Sequence, residues 1–120
     1  MARVAALVPD LLFASKIQGL LQGAGHEVRL VAPAPESWGE DAGRVDVLLV
    51  DLVSAAGDGI ALIERLRADG TLEGVATLAV YSHVDAATRT RALDAGFDLV
   101  VPRSRMMREG VELVTGLVRA

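Results

Sequence analysis

The sequence predicts an α/β domain built on a doubly wound, five-stranded parallel sheet, and two observations carry that expectation. Apolar runs of strand length alternate five times with segments that lead toward helices, the order of elements that a parallel sheet with crossover helices requires. The run Val45-Asp46-Val47-Leu48-Leu49-Val50-Asp51 is apolar almost throughout and stops on a carboxylate. A strand buried on both faces reads this way, and ligands of such sheets gather at the carboxyl ends of the strands. Asp51 is therefore the first candidate for chemistry.

Each element has its own signal. Val4 to Val8 is a short apolar strand. Leu11 to Ala24 repeats with helical period, with Leu12, Phe13, Ile17, Leu20, Leu21 and Ala24 on one stripe and Gly25 as a stop. Val28 to Ala32 reads as strand two, which Pro33 and Pro35 interrupt. Residues 36–44 carry a poor helical signal, because Gly39 and Gly43 dilute it and only Trp38 and Ala42 are apolar. Helix or loop stays open there. Strand three leads to Asp58-Gly59 and then to helix three, Ile60 to Ala68, with Ile60, Leu62, Ile63 and Leu66 for packing. Val75 to Tyr81 is strand four. Asp85 is placed to cap helix four, which runs to Ala95 and stops at Gly96. Phe97 to Val101 is strand five. Ser104 is a candidate cap for helix five, whose Met107, Val111, Val114, Leu117 and Val118 are expected to face inward.

Composition narrows the function classes. The 120 residues suit one domain, 1–120, and are 52% hydrophobic with only 3% aromatic. Small and branched side chains pack densely without rings, which argues against disorder. A formal charge of −4 without a long basic run argues against direct nucleic-acid binding. Without cysteine there are no disulfides, thiolate metal sites or cysteine nucleophiles. No apolar stretch approaches the roughly 20 residues of a membrane span, and Met1-Ala2-Arg3-Val4 lacks the layout of a secretion signal. The expectation is a cytoplasmic protein whose chain ends with helix five and carries no output domain.

Other chemistry finds little support. Gly23-Ala24-Gly25 ends a helix instead of opening one, so it is no dinucleotide loop. Ser37 and Ser82 lack a nucleophile-elbow context. His26 and His83 do not form a metal pair by spacing. The histidine-bearing loop of cobalamin-binding domains is absent after strand one.

Five features in order resemble the receiver domain of two-component response regulators. Gly25-His26-Glu27-Val28 is similar to that family's turn into strand two, and Asp51 to its phosphoacceptor. Asp58-Gly59 resembles its loop into helix three, Ser82 its hydroxyl residue ending strand four, and Asp94-Ala95-Gly96-Phe97-Asp98 its segment entering strand five. The resemblance covers the whole chain. It implies a flavodoxin-like receiver topology with strand order 2-1-3-4-5, and a signalling domain that is not an enzyme. It also implies a site in which Asp51 is flanked by Asp10, Asp58, Ser82 and Arg103. In such sites Mg²⁺, a lysine and a hydroxyl neutralise charge on the phosphoryl oxygens.

The departures are as informative. Counting from Gly25 puts Val8 and Pro9 where the family has its acidic metal-binding pair, with Asp10 one place further on. Mg²⁺ needs only one or two carboxylates, so Asp10 and Asp51 are the metal candidates, while Asp10 has a competing and favoured use as the cap of helix one. Arg103 stands where the family has lysine, and Pro102 comes before it instead of a proline after it. A guanidinium is larger and planar, so the exchange is not conservative. Arg103 either pairs with Asp51 in a metal-free site or lies exposed on the loop. His83 replaces a small residue, and reads as an exposed loop histidine. Val100 replaces the family's switch aromatic.

The expectation is a receiver-like signalling domain with a degenerate acidic site, acting through protein–protein interaction and requiring no cofactor. Its partners would be a histidine kinase or a downstream effector, met through the helix 4–strand 5–helix 5 face, where Arg89, Arg91, Arg103, Arg105 and Arg108 offer positive charge. The alternative is a working phosphoacceptor that takes phosphate from a histidine kinase onto Asp51 with Mg²⁺. A small flavodoxin-like ligand-binding domain ranks third. The identities of kinase and effector, and the choice between monomer and homodimer, stay open.

Overall fold

The computed structural model of the protein describes residues 2–32 and 45–119. Its strands are β1 (Arg3–Leu7), β2 (Glu27–Leu30), β3 (Val47–Asp51), β4 (Ala76–Tyr81) and β5 (Leu99–Pro102). Its helices are α1 (Leu11–Gly23), α2 (Ala56–Ala68), α3 (Ala86–Asp94) and α4 (Arg103–Arg119). The open question over 36–44 lies outside the described residues, so the expected helices three, four and five are α2, α3 and α4.

All four strand pairings are parallel, and the order is β2-β1-β3-β4-β5. Alternation along each strand splits the core in two. Val4, Ala6, Val47, Leu49, Leu78, Val80 and Val101 face one side with Phe13, Ile17 and Leu21 of α1 and Met106 and Val114 of α4. Ala5, Leu7, Leu48, Val50 and Ala79 face the other with Ile60, Leu62, Ile63 and Leu66 of α2 and Ala92 of α3. The unbroken apolar runs follow from this: a strand covered by helices above and below has no wet face.

Two carboxylates clamp the amino edge of the sheet, far from Asp51. Asp46 accepts a hydrogen bond from Arg3 N–H at 2.8 Å. Asp98 accepts from the backbone N–H of Thr77 at 2.8 Å and from its hydroxyl at 3.1 Å, while Thr77 Oγ1 accepts from Asp98 N–H. Asp98 is thus a strand-start clamp. His26 is buried nearby at the head of β2, where its Nδ1 accepts from Ala2 N–H at 2.9 Å.

Several expectations need correction. Helix α2 begins at Ala56, four residues before Ile60, so Asp58 and Gly59 sit in its first turn and not in a loop. Helix α4 begins at Arg103, directly after β5, which places Ser104 inside the first turn and not at a cap. On α1 the buried residues are Phe13, Ala14, Ile17 and Leu21, while Leu12 and Ala24 are exposed. Successive fourth residues from Phe13 set the centre of that stripe, and Leu12 falls outside it. Met106, not Val118, is fully buried on α4.

Candidate functional site

The site is built where three elements meet at the carboxyl edge of the sheet. Strand β3 ends on Asp51, whose side chain is fully buried. Strand β1 leads through Val8 and Pro9 to Asp10, the N-cap of α1. Strand β5 passes straight into α4, whose first residue is Arg103. Parallel strands put all these chain ends on one edge.

Asp51 is saturated with donors. Its Oδ1 accepts from Val53 N–H and from Arg103 Nε, both at 3.2 Å. Its Oδ2 accepts from the Ser54 hydroxyl at 2.7 Å and from Arg103 Nη2. The guanidinium therefore grips the carboxylate with two nitrogens, the planar fork that arginine presents and lysine lacks. The same Nη2 lies 3.2 Å from Asp10 Oδ2. The guanidinium carbon also sits over the Phe13 ring, 4.2 Å from its centroid, a cation–π contact.

A cation in the first turn of a helix opposes the helix dipole, and that turn of α4 contains no acidic residue. What holds Arg103 there is the pair of carboxylates from the neighbouring elements. Its hydrogen bond to Asp51, and after it the attraction of Asp51 and Asp10, raises its already high pKa. Asp10 does two jobs. Its Oδ1 accepts from Leu12 N–H at 3.1 Å and Phe13 N–H at 3.2 Å, which caps α1, and its Oδ2 meets Arg103. The Phe13 amide, then the Arg103 guanidinium, holds its carboxyl below the usual aspartate range against the opposing effect of partial burial.

Of the five residues picked from the sequence, the structure joins Asp10, Asp51 and Arg103 in one cluster. Arg103 pairs with Asp51 and is not an exposed loop residue. Asp58 is exposed in the first turn of α2, where the helix dipole favours a carboxylate, and takes no part in the cluster. Ser82 follows β4 and is half-buried, but its hydroxyl does not bond to Asp51. The hydroxyl that does is Ser54, which sequence reasoning missed, as it missed the stacking role of Phe13. His83 is exposed.

The Mg²⁺ that receiver folds imply finds a poor fit. Val8 is buried in the core, and neither its side chain nor that of Pro9 carries a ligand atom. All four oxygens of Asp10 and Asp51 already face N–H or O–H donors. No group of three or more acidic, histidine or cysteine side chains is placed to hold a metal among the described residues. No described helix is long and apolar enough to cross a membrane.

Neither a protein-family model nor a curated protein matches the chain. Solved structures do. A response-regulator candidate from Chloroflexus aurantiacus superposes with a TM-score of 0.83 at 21% identity, over 99% of this chain and 98% of that one. The receiver domain of a signal-transduction histidine kinase from Syntrophus aciditrophicus gives 0.81 at 16% identity, over 99% and 91%. The receiver domain of the Francisella response regulator 1452 gives 0.80 at 16% identity, over 99% and 98%. Near-complete coverage in both directions shows that this chain, with its strand order β2-β1-β3-β4-β5, has the fold of response-regulator receiver domains.

Proposed function

We propose that the chain is a signalling domain of the two-component type that works without phosphorylation, by docking on other proteins. One observation carries this reading: Arg103 occupies both oxygens of a fully buried Asp51. An aspartate that accepts a phosphoryl group needs an oxygen free to attack and a cation free to neutralise the phosphoryl oxygens. Here the cation is bound to the would-be nucleophile itself. On this reading the domain has no catalytic activity of its own, requires no cofactor, and resides in the cytoplasm with its partners.

The surface we assign to docking is formed by α3, β5 and α4. Arg89 is exposed on α3, Leu93 one turn further along the same side is 45% exposed, and Arg108 is exposed on α4, whereas Arg91, counted on this face from the sequence, lines a cleft with Ile60 and Glu64 of α2. An apolar spot among arginines suits an acidic partner protein with a hydrophobic anchor, either a histidine kinase or a downstream effector. Glu109 pairs with Arg105 at 3.3 Å and lies 3.8 Å from Arg108, which offsets part of the positive charge on α4.

Titration with Mg²⁺ and beryllofluoride, followed by amide NMR, tests the reading. The expected result is a flat titration. Shifts around Asp51 that disappear in Asp51→Asn would establish the phosphoacceptor alternative and end this one.

A further inference from the structure

Two carboxylates from different elements converge on a single nitrogen. Arg103 Nη2 donates to Asp51 Oδ2 and lies 3.2 Å from Asp10 Oδ2. Asp10 caps α1, Asp51 ends β3 and Arg103 begins α4. Two anionic groups at this separation, one of them fully buried, need a positive charge between them. The chain supplies that charge from its own sequence and backs it with the Phe13 ring.

We propose that Arg103 is a built-in replacement for a divalent cation. It neutralises the Asp10–Asp51 pair and keeps hard metal ions out, and loss of its charge uncovers a two-carboxylate site for such an ion. The inference deepens the phosphate-independent reading and rests on it, since it names what closes the acid site. Arginine does not deprotonate at any ordinary pH, so pH does not open the site from the guanidinium side. A metal would instead have to displace a fork that makes two bonds to Asp51 and stacks on Phe13. Once the guanidinium is gone, Asp51 Oδ2 and Asp10 Oδ2 still border the vacated space. Each is pinned from its own side, Asp51 by Ser54 and Val53 and Asp10 by the amides of α1. Hard divalent cations take one or two carboxylates and complete their shell with water, which is what this arrangement then offers.

Mn²⁺ titration of the full chain tests this, read by water-proton relaxation and by broadening of the amide signals of residues 10–13 and 51–54. Wild type and Arg103→Lys stay flat, because each keeps a positive charge. Arg103→Ser shows saturable binding in the millimolar range, and adding Asp51→Asn abolishes it. Saturable binding at these amides in wild type overturns the proposal. So does a flat titration of Arg103→Ser whose amide spectrum shows it folded. If that variant does not fold, Arg103→Gln, neutral and closer in size, decides by the same readout. A flat neutral variant, with wild type also flat toward beryllofluoride, sinks this inference alone. Beryllofluoride shifts at Asp51 in a wild type that ignores Mn²⁺ sink the phosphate-independent reading and leave cation exclusion standing.

Discussion

Arg103 and Asp51 are worth more as a pair than as individuals, because one of them has no access to water. A carboxylate with no solvent exposure keeps its charge only if its partners replace its hydration, and Arg103 provides two of the four donors. Arg103→Ala strands that charge and is expected to destabilise the fold by about 3 kcal/mol, at the low end for a broken buried pair because Arg103 is partly exposed. Arg103→Lys keeps the charge and loses the fork and the stacking, for a smaller cost of about 1–2 kcal/mol. Urea unfolding at neutral pH measures both, and equal losses in the two variants would show that charge contributes nothing. At this scale the sequence was half legible. Asp51 stood out at the end of an apolar strand, and Asp10 and Arg103 through receiver-like spacing counted from Gly25 and Gly96. Ser54 and Phe13 did not, since a serine three residues past a strand and an aromatic on an apolar stripe look like turn and core in any sequence. Their roles exist only once Arg103 reaches over from α4.

Two glycines two residues apart in α2 make opposite demands on the same helix. A Cβ on Gly57 would meet nothing within 4 Å, whereas one on Gly59 would come within 2.6 Å of Val50 Cγ1 and 2.8 Å of Leu52 Cδ2. Gly59 lets the first turn of α2 lie directly on the end of β3, beside Asp51. Gly57→Ala should therefore stabilise by about 0.5–1 kcal/mol through helix propensity. Gly59→Ala should destabilise by about 1–3 kcal/mol, since Val50 is stiff and fully buried and has no room to yield. Thermal melts of the two variants check the pair, and a Gly59→Ala protein as stable as Gly57→Ala would remove the close-packing argument. The same glycines explain why the start of α2 was misplaced in the sequence. Gly57-Asp58-Gly59 has poor helix propensity, so periodicity only becomes visible at Ile60, yet packing against β3 extends the helix back to Ala56. The start of α4 was misplaced for a related reason. Ser104 has the chemistry of a cap, but with Arg103 tied to Asp51 the helix begins two residues earlier than that cap would set.

The element order and the parallel sheet were legible in the whole molecule because they depend on period and burial alone. Runs such as Val47–Asp51 are buried on both faces, and no local contact can disguise that. The acid cluster depends on a bond spanning 52 residues, which no local pattern encodes. A property of the whole chain follows from how its aspartates are used. Asp10 and Asp85 cap α1 and α3, and Asp69 accepts from the backbone N–H and hydroxyl of Thr71 just beyond α2. All three carboxyls are held below the ordinary aspartate value of about 3.9. The first cause is the Phe13 amide for Asp10, the Thr71 hydroxyl for Asp69 and the Thr88 hydroxyl for Asp85. A carboxyl whose folded pKa is depressed gives its full stabilisation above the unfolded value and loses it as pH falls through the folded one. Stability should therefore hold level from neutral pH to about 5 and decline below about 4, where the unfolded chain binds protons that these three sites resist. The urea midpoint at pH 7, 5 and 3 measures the decline. Replacing Asp10, Asp69 and Asp85 by Asn keeps side chains that can still cap and turn but removes the titrating groups, so the triple variant should show a shallower fall. A wild-type midpoint unchanged between pH 5 and 3 would mean that these hydrogen bonds survive protonation. The caps would then stabilise the helices by geometry alone, with no help from charge.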